Sequence, residues 1–187
     1  LEAQLCNLAD AIAYNAHDID DGVRSGLLTL EQMQQVPLFA HYHAQTLAQH
    51  PDLKGRRVLY ESIRRMLSDQ VYDVIAATRE ALVQHQPQSA DEARRCGPLV
   101  RFSESMFEAS RELKSFLFRN LYRHAQVMHT TDWARDVVRA LFAIYLARPH
   151  EMPAAYAERA DVPRAVADYL SGMTDRFATR EHARLTA

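Results

Sequence analysis

The strongest constraint on the fold of this chain is the spacing of its apolar residues, which follows the helical repeat almost throughout. Runs rich in Val, Ile and Thr that alternate with polar residues are missing, and only five glycines occur in 187 residues. Apolar residues that recur every three to four positions are typical of amphipathic helices. The first segment shows this on one face with Leu1, Leu5, Leu8, Ile12, Ile19 and Val23. The sequence therefore predicts an all-α fold.

Capping residues and helix breakers divide this pattern into segments. Helices are predicted over about 1–24, 29–36, 41–50, 56–84, 103–123, 131–147, 161–172 and 173–185. Thr29 and Gln32 have the spacing of a capping box, Thr131 or Asp132 is the expected N-cap of its helix, and Asp161 that of another. Gly22 and Gly26 are expected to end the first helix. The polar stretch 86–98, with two prolines and a glycine, predicts a mobile loop.

Composition restricts the kind of protein. The net charge of −2 does not favour a nucleic-acid or membrane-surface protein as a whole. Two cysteines without zinc-ligand spacing are ordinary for a reduced, cytoplasmic protein, and no apolar run approaches the roughly 18 residues that span a bilayer. Since Leu1 already lies in a helical pattern without a capping residue before it, we expect a piece of a longer chain.

A stripe of polar side chains lies opposite the apolar face of the first helix. At about 100° per residue, Asp10, Tyr14, His17, Asp18 and Asp21 fall within a sector of roughly 100°. Such a stripe is often just the solvated face of a surface helix. However, the stripe holds no lysine or arginine for ion pairs, and Asp10 is flanked by Leu8, Ala9, Ala11 and Ile12. That setting predicts a buried or half-buried carboxylate, which needs a cation or metal as partner.

This stripe and three later blocks resemble the dGTP triphosphohydrolase branch of the HD-domain phosphohydrolases. The first block runs from Leu8 to Gly22 and is similar to the last metal-ligand helix of that family. The others are Glu112-Leu113-Lys114, Tyr122-Arg123-His124 and the block 168–177, in the family's order. One departure is Ala11, where the bacterial enzymes commonly carry glutamate. The resemblance identifies the chain as the C-terminal portion of such an enzyme.

The resemblance implies roles for residues of the first helix. Members of the family hold a divalent metal, Mg²⁺, Mn²⁺ or similar, with a histidine, a His-Asp doublet and a later aspartate. Asp10 matches that aspartate, while the other ligands belong to an upstream half. Tyr14 and Asp18 match positions that face the deoxyribose, where an aspartate accepts from the 3′-hydroxyl beside a packed ring. His17 and Asp21 receive no role.

Two residues of the helix predicted over 103–123 match further binding positions of the family. Lys114 matches a basic residue that reaches the triphosphate, and Tyr122 matches an aromatic residue that packs on the nucleoside. The spacing alone is also typical of a solvent-exposed lysine for Lys114, and of a residue packed in the core for Tyr122. His41, His43 and His50 lack the i, i+4 spacing of a helical metal site.

The implied activity is hydrolysis of a deoxynucleoside triphosphate (dNTP) to deoxynucleoside and triphosphate. The implied organisation is the end of the HD phosphohydrolase domain in residues 1–50, followed by a C-terminal helical domain in 51–187. The piece alone is expected to be inactive, because one carboxylate does not retain the ion. Homo-oligomers, and a dNTP or single-stranded DNA as effector, are expected from relatives, with no membrane involved.

Two other functions stay open from the residues. One is a non-catalytic helical module that binds a nucleotide effector or a partner, with Asp10 in a salt bridge. The other is a different HD-type enzyme, a nucleotidase or phosphodiesterase. The blocks around Lys114 and Tyr122 count against the second.

Overall fold

The computed structural model describes residues 1–186 of the chain, and this part is helical without a strand. Its regular elements are ten α-helices, one π-helical turn and one 3₁₀ turn. The helices are α1 (Glu2–Arg24), α2 (Leu30–Met33), α3 (Pro37–Gln49), α4 (Arg56–His85), α5 (Ala90–Arg95), α6 (Glu104–Leu117), α7 (Ala125–Ala147), α8 (Ala154–Ala157), α9 (Val162–Ser171) and α10 (Asp175–Thr186). The π-helical turn spans Phe118–Tyr122 and the 3₁₀ turn Pro149–Glu151. The all-α prediction is confirmed.

The chain forms two compact units, Leu1–His124 and Ala125–Ala187. In the first unit, α4 packs against both α1 and α3, and α6 packs against the same two helices. The fully buried side chains of this core include Ile19, Met33, Phe39, Met66, Leu113 and Leu117. The boundary expected after residue 50 falls inside this unit, between the packed helices α3 and α4. As an assignment of family domains, that boundary stays a prediction.

The second unit has its own core. Helix α7 contacts α9 and α10, and the side chains buried between them are Val137, Leu141, Tyr145, Met152 and Val166. Tyr145 donates a hydrogen bond of 2.9 Å to Glu181 of α10, which in turn lies 2.9 Å from Arg184. This polar group ties the terminal helix to the centre of the unit.

Two of the predicted caps are confirmed by hydrogen bonds. The Thr29 hydroxyl accepts from the Gln32 amide at 3.2 Å, while the Thr29 amide donates to the Gln32 side chain at 2.8 Å. Asp161 accepts from the Arg164 amide at 3.1 Å, and Pro163 lies in the first turn of α9. These local signals are reliable here because the bonding groups lie within four residues of each other.

Several sequence expectations are wrong. Helix α7 begins at Ala125, so neither Thr131 nor Asp132 is its N-cap, and Asp132 instead pairs with Arg135 at 2.6 Å. The stretch expected to be a loop contains α5, whose cap Ser89 accepts from the Glu92 amide at 3.1 Å. Leu1 and Leu5 of the expected apolar face are 52% and 50% exposed, so the buried part of that face begins further along α1.

Gly22 does not end α1 as predicted, because the helix continues to Arg24 and Gly22 is buried within it. A Cβ added there would lie 2.6 Å from Leu28 Cδ1 and 3.3 Å from Leu121 Cδ1. The glycine therefore allows the chain after α1 and the π-helical turn to approach the helix backbone closely. The actual turn lies at Gly26, whose φ of 77° favours glycine.

Candidate functional site

The polar stripe of α1 is displayed on the surface of the first unit. Asp10 and Tyr14 are exposed, Tyr14 by 59%, and Asp18 is half-buried. They succeed one another at steps of about 6 Å along the helix axis. The expectation that Asp10 is buried or half-buried is wrong for the described residues. Its apolar neighbours are mostly small alanines on the outer surface, whereas α1 buries the face that contains Ile12, Ala16 and Ile19.

A hydrogen bond joins the end of the stripe to the segment after α6. The Tyr122 hydroxyl donates to Asp18 Oδ2. Partial burial, followed by this bond and the charge of Asp18, raises the pKa of Tyr122 above its ordinary range, and the nearby Tyr14 hydroxyl adds to the effect. Residues that are 104 positions apart in sequence thus form one polar pair.

Tyr122 is presented by the π-helical turn that was not predicted from the sequence. The Arg123 amide donates to the Phe118 carbonyl at 3.1 Å, the five-residue spacing of a π-helix. The Phe118 and Tyr122 rings meet edge to face, with centroids 6.4 Å apart. Such widened turns are rare and often lie at functional sites. Here the widened turn ends on the residue that reaches Asp18.

Cationic side chains line a cavity of about 360 Å³ beside this pair. Its wall includes Lys114, Phe118 and Tyr122, so the two residues matched to substrate-binding positions line one cavity. Arg111 and Arg119 complete the basic side of the wall. Arg111 pairs with Glu108, whereas Lys114 and Arg119 have no ion pair within residues 1–186. Two positive groups are therefore available to an anion next to the Asp18–Tyr122 pair.

The residues present do not fit a complete metal site. Among residues 1–186, no group of three or more His, Cys, Asp or Glu side chains is placed to hold an ion. Asp10 has neither an ion pair nor a side-chain hydrogen bond to the part of the chain that the structure describes, so its carboxylate is available as a single ligand. A divalent ion needs three or more ligands, and Asp10 alone does not retain one.

The other polar residues of interest have structural partners. Asp21 pairs with Arg24 at the end of α1. His41 contacts Gln45 at 2.9 Å, and His43 is buried and contacts Gln34 at 3.3 Å. Each of these two histidines therefore has a polar side-chain partner on a neighbouring residue. No helix of residues 1–186 is both long and apolar enough to cross a membrane.

Comparisons of this sequence with known proteins show which proteins the chain is similar to. A model of the phosphohydrolase-associated domain matches residues 100–184. The deoxyguanosinetriphosphate triphosphohydrolase-like protein of Ralstonia nicotianae is 50% identical over 189 residues, which cover 100% of this chain and 49% of that protein. Proteins of the same name from Bordetella pertussis and Azoarcus sp. are 48% and 46% identical, over 99% and 100% of this chain and 49% and 50% of theirs.

The chain spans about half the length of the curated relatives it matches. The similarity nevertheless runs through α1, the π-helical turn and the second unit alike, since it covers nearly every residue of this chain. The resemblance seen in the sequence blocks is thereby confirmed. The chain belongs to the family of deoxyguanosinetriphosphate triphosphohydrolase-like proteins.

Proposed function

We propose that this chain supplies the deoxynucleotide-binding wall of a triphosphohydrolase that releases deoxynucleoside and triphosphate from a dNTP. The observation that carries the proposal is the Asp18–Tyr122 hydrogen bond beside the unpaired cations Lys114 and Arg119. A sugar hydroxyl and a chain of phosphates need these two kinds of partner next to each other. The names of the relatives support dGTP as a substrate.

The sugar-reading role rests on the acceptor capacity of Asp18. A carboxylate has two oxygens, and Tyr122 occupies only Oδ2. Oδ1 remains to accept a hydrogen bond from the 3′-hydroxyl of a nucleotide. The exposed ring of Tyr14, one turn earlier on α1, lies where it can pack against the sugar. A ring in van der Waals contact with C2′ leaves no space for a 2′-hydroxyl and selects deoxynucleotides.

The phosphate-binding role rests on Lys114 and Arg119. A triphosphate carries several negative charges, and charge-assisted hydrogen bonds to lysine and arginine are the usual way of balancing them. Both side chains are exposed and line the cavity that ends at Tyr122. The described residues thus bind and orient the substrate, and Lys114 is the group we assign to the triphosphate.

Among the described residues, Asp10 is the one that we connect with a metal ion. We propose Asp10 as one ligand of a divalent ion whose other ligands lie outside residues 1–186. When bound, such an ion would supply Lewis-acid chemistry at a phosphate. Homo-oligomer formation and activation by a dNTP or single-stranded DNA are further proposals, which rest on the resemblance to the family.

The experiment is an assay of the protein at its natural full length with each of the four dNTPs and Mg²⁺ or Mn²⁺. Chromatography is expected to show equal amounts of deoxynucleoside and triphosphate, and no diphosphate or monophosphate. Asp10→Asn is expected to abolish turnover while binding of dGTP persists. Release of single phosphates would favour a different HD-type nucleotidase. Binding without any turnover would favour a non-catalytic nucleotide-binding module.

The 187-residue chain by itself provides a second test. We expect it to release no triphosphate from dGTP, because the described residues lack the remaining metal ligands. Turnover comparable to that of the natural full-length protein would contradict the metal assignment to Asp10 and would require a complete active site within this chain.

A further inference from the structure

A second cavity of the first unit is not used by the sugar and phosphate contacts described above. It has a volume of about 280 Å³ and lies between α1, α4, the segment before α6, and α6 itself. Its wall is mainly apolar and includes Leu8 and Ile12 of α1 and the rings of Phe102 and Phe107. The polar residues in this wall are Asn15, Gln70, Ser110, Arg111 and Lys114.

Asn15 is the unusual residue of this wall. It is only 8% exposed and shares the buried face of α1 with Ile12 and Ile19. Its side-chain amide makes no hydrogen bond to residues 1–186. Unlike Gln70 Oε1, which is fully buried and unpartnered, the polar atoms of this amide remain accessible at the cavity wall. A leucine would complete the apolar face of α1 here, whereas the amide presents a donor and an acceptor to a group that enters the cavity.

Ser110 provides a second hydrogen-bonding group in the same wall. Its hydroxyl oxygen accepts from Gln70 Nε2 at 2.8 Å, and Gln70 is fully buried with its own oxygen unpartnered. The hydroxyl proton of Ser110 has no acceptor among residues 1–186. Gln70 therefore fixes the position of Ser110 and leaves its O–H free to donate.

The size and the surroundings of the cavity restrict its occupant. Pockets for drug-sized ligands are typically about 300–1,000 Å³, so this cavity holds one planar ring system rather than an entire nucleotide. Lys114 and Arg111 line both this cavity and the neighbouring one that ends at Tyr122. The two cavities therefore adjoin at these cations, and the neighbouring cavity includes Tyr122 of the sugar-reading pair.

We propose that this cavity receives the nucleobase of the substrate, with Asn15 and Ser110 hydrogen-bonding its edge. Phe102 and Phe107 supply the apolar and aromatic contacts that a base needs for stacking. The amide and the hydroxyl would then determine which base is preferred. This inference rests on the proposed function, because it takes the sugar and triphosphate to be bound by Asp18, Tyr122 and Lys114.

The test compares the four dNTPs as substrates of the natural full-length protein. For Asn15→Leu, the ratios of kcat/KM between the preferred dNTP and the others should change by about tenfold or more, because a lost amide–base pair carries that much discrimination. For Ser110→Ala, a change of about threefold is expected. Ser62→Ala is the matched control: this buried serine lies outside the cavity, so its ratios should equal those of the wild type.

Inorganic triphosphate separates a base-specific effect from a general distortion. It has no base, so its inhibition constant should be the same for Asn15→Leu and the wild type. Unchanged dNTP ratios in both cavity variants would overturn this inference while leaving the proposed function intact. So would weaker triphosphate inhibition in parallel with weaker dNTP hydrolysis. A wild-type protein that neither binds nor hydrolyses any of the four dNTPs would overturn both.

Discussion

Gly22→Ala is the substitution whose effect on the first unit can be worked out most fully. The new Cβ would lie 2.6 Å from Leu28 Cδ1, 3.0 Å from Leu28 Cγ and 3.3 Å from Leu121 Cδ1. Leu28 and Leu121 are 1% and 8% exposed, so the surrounding core limits their movement. The alanine therefore forces at least Leu28 to move within a packed interior.

Two opposing effects set the size of the change. Alanine in place of glycine inside a helix is favourable by up to about 1 kcal/mol. Overpacking a core by one methyl group typically costs about 1–3 kcal/mol. The clash involves two atoms of one buried residue, so the cost prevails and the net loss is about 1 kcal/mol. For a unit of this size, that lowers the melting temperature by about 4 °C. Displacement of Leu121 would also disturb its neighbour Tyr122.

Calorimetry of the natural full-length protein measures this prediction. Gly172→Ala is the matched control, because a Cβ at Gly172 would meet only Tyr169 O at 3.6 Å and Asp168 O at 3.8 Å, which are ordinary contacts. Its stability should stay within about 0.5 kcal/mol of the wild type. A Gly22→Ala protein as stable as the wild type would refute the argument that close packing requires this glycine.

Other predictions concern charged groups. Lys114→Met should raise KM for a dNTP about tenfold, as expected for a lost hydrogen bond to a charged phosphate. The control is Lys54→Met, which removes the only other lysine of the sequence and should leave KM unchanged. The hydrogen bond from Arg184, followed by that from Tyr145, lowers the pKa of Glu181 below its ordinary value of 4.5. Its contribution to stability is therefore complete above that value and is lost as the pH falls through the lowered pKa. Acid should accordingly weaken the attachment of α10, as measured by hydrogen exchange. Glu181→Gln should reduce this dependence, while the part due to the Glu151–Arg184 pair remains.

The sequence predicts those features of the fold that depend on neighbouring residues. The capping box at Thr29, the cap at Asp161 and the long periodic helices α1 and α4 follow from groups that are a few positions apart. The cap at Ser89 has the same spacing to Glu92 as the capping box at Thr29 has to Gln32, so α5 was within reach of the same reasoning. Helix α7 begins well before Thr131. A capping residue such as Thr131 or Asp132 does not end or start a helix where packing continues it on both sides.

Long-range features required the structure. The π-helical turn at 118–122 looks like regular helix in the sequence, since its apolar spacing is compatible with both. In the sequence, Asn15 is one of several polar residues of α1, and only its burial beside a cavity distinguishes it. The exposure of Asp10 does not follow from its sequence neighbours, because most of them are alanines. Alanine occurs on both surfaces of a helix and carries little information about depth.

The claim that Asp18 reads the 3′-hydroxyl of a deoxynucleotide is central to this account, and one measurement tests it directly. It compares kcat/KM for dGTP and for 2′,3′-dideoxy-GTP, in the natural full-length protein and in its Asp18→Ala variant. The wild type should prefer dGTP by about tenfold or more, as expected for a hydrogen bond to a charged carboxylate. The variant should lose this preference, since removing either partner breaks the same bond. An equal preference in both proteins would contradict the account.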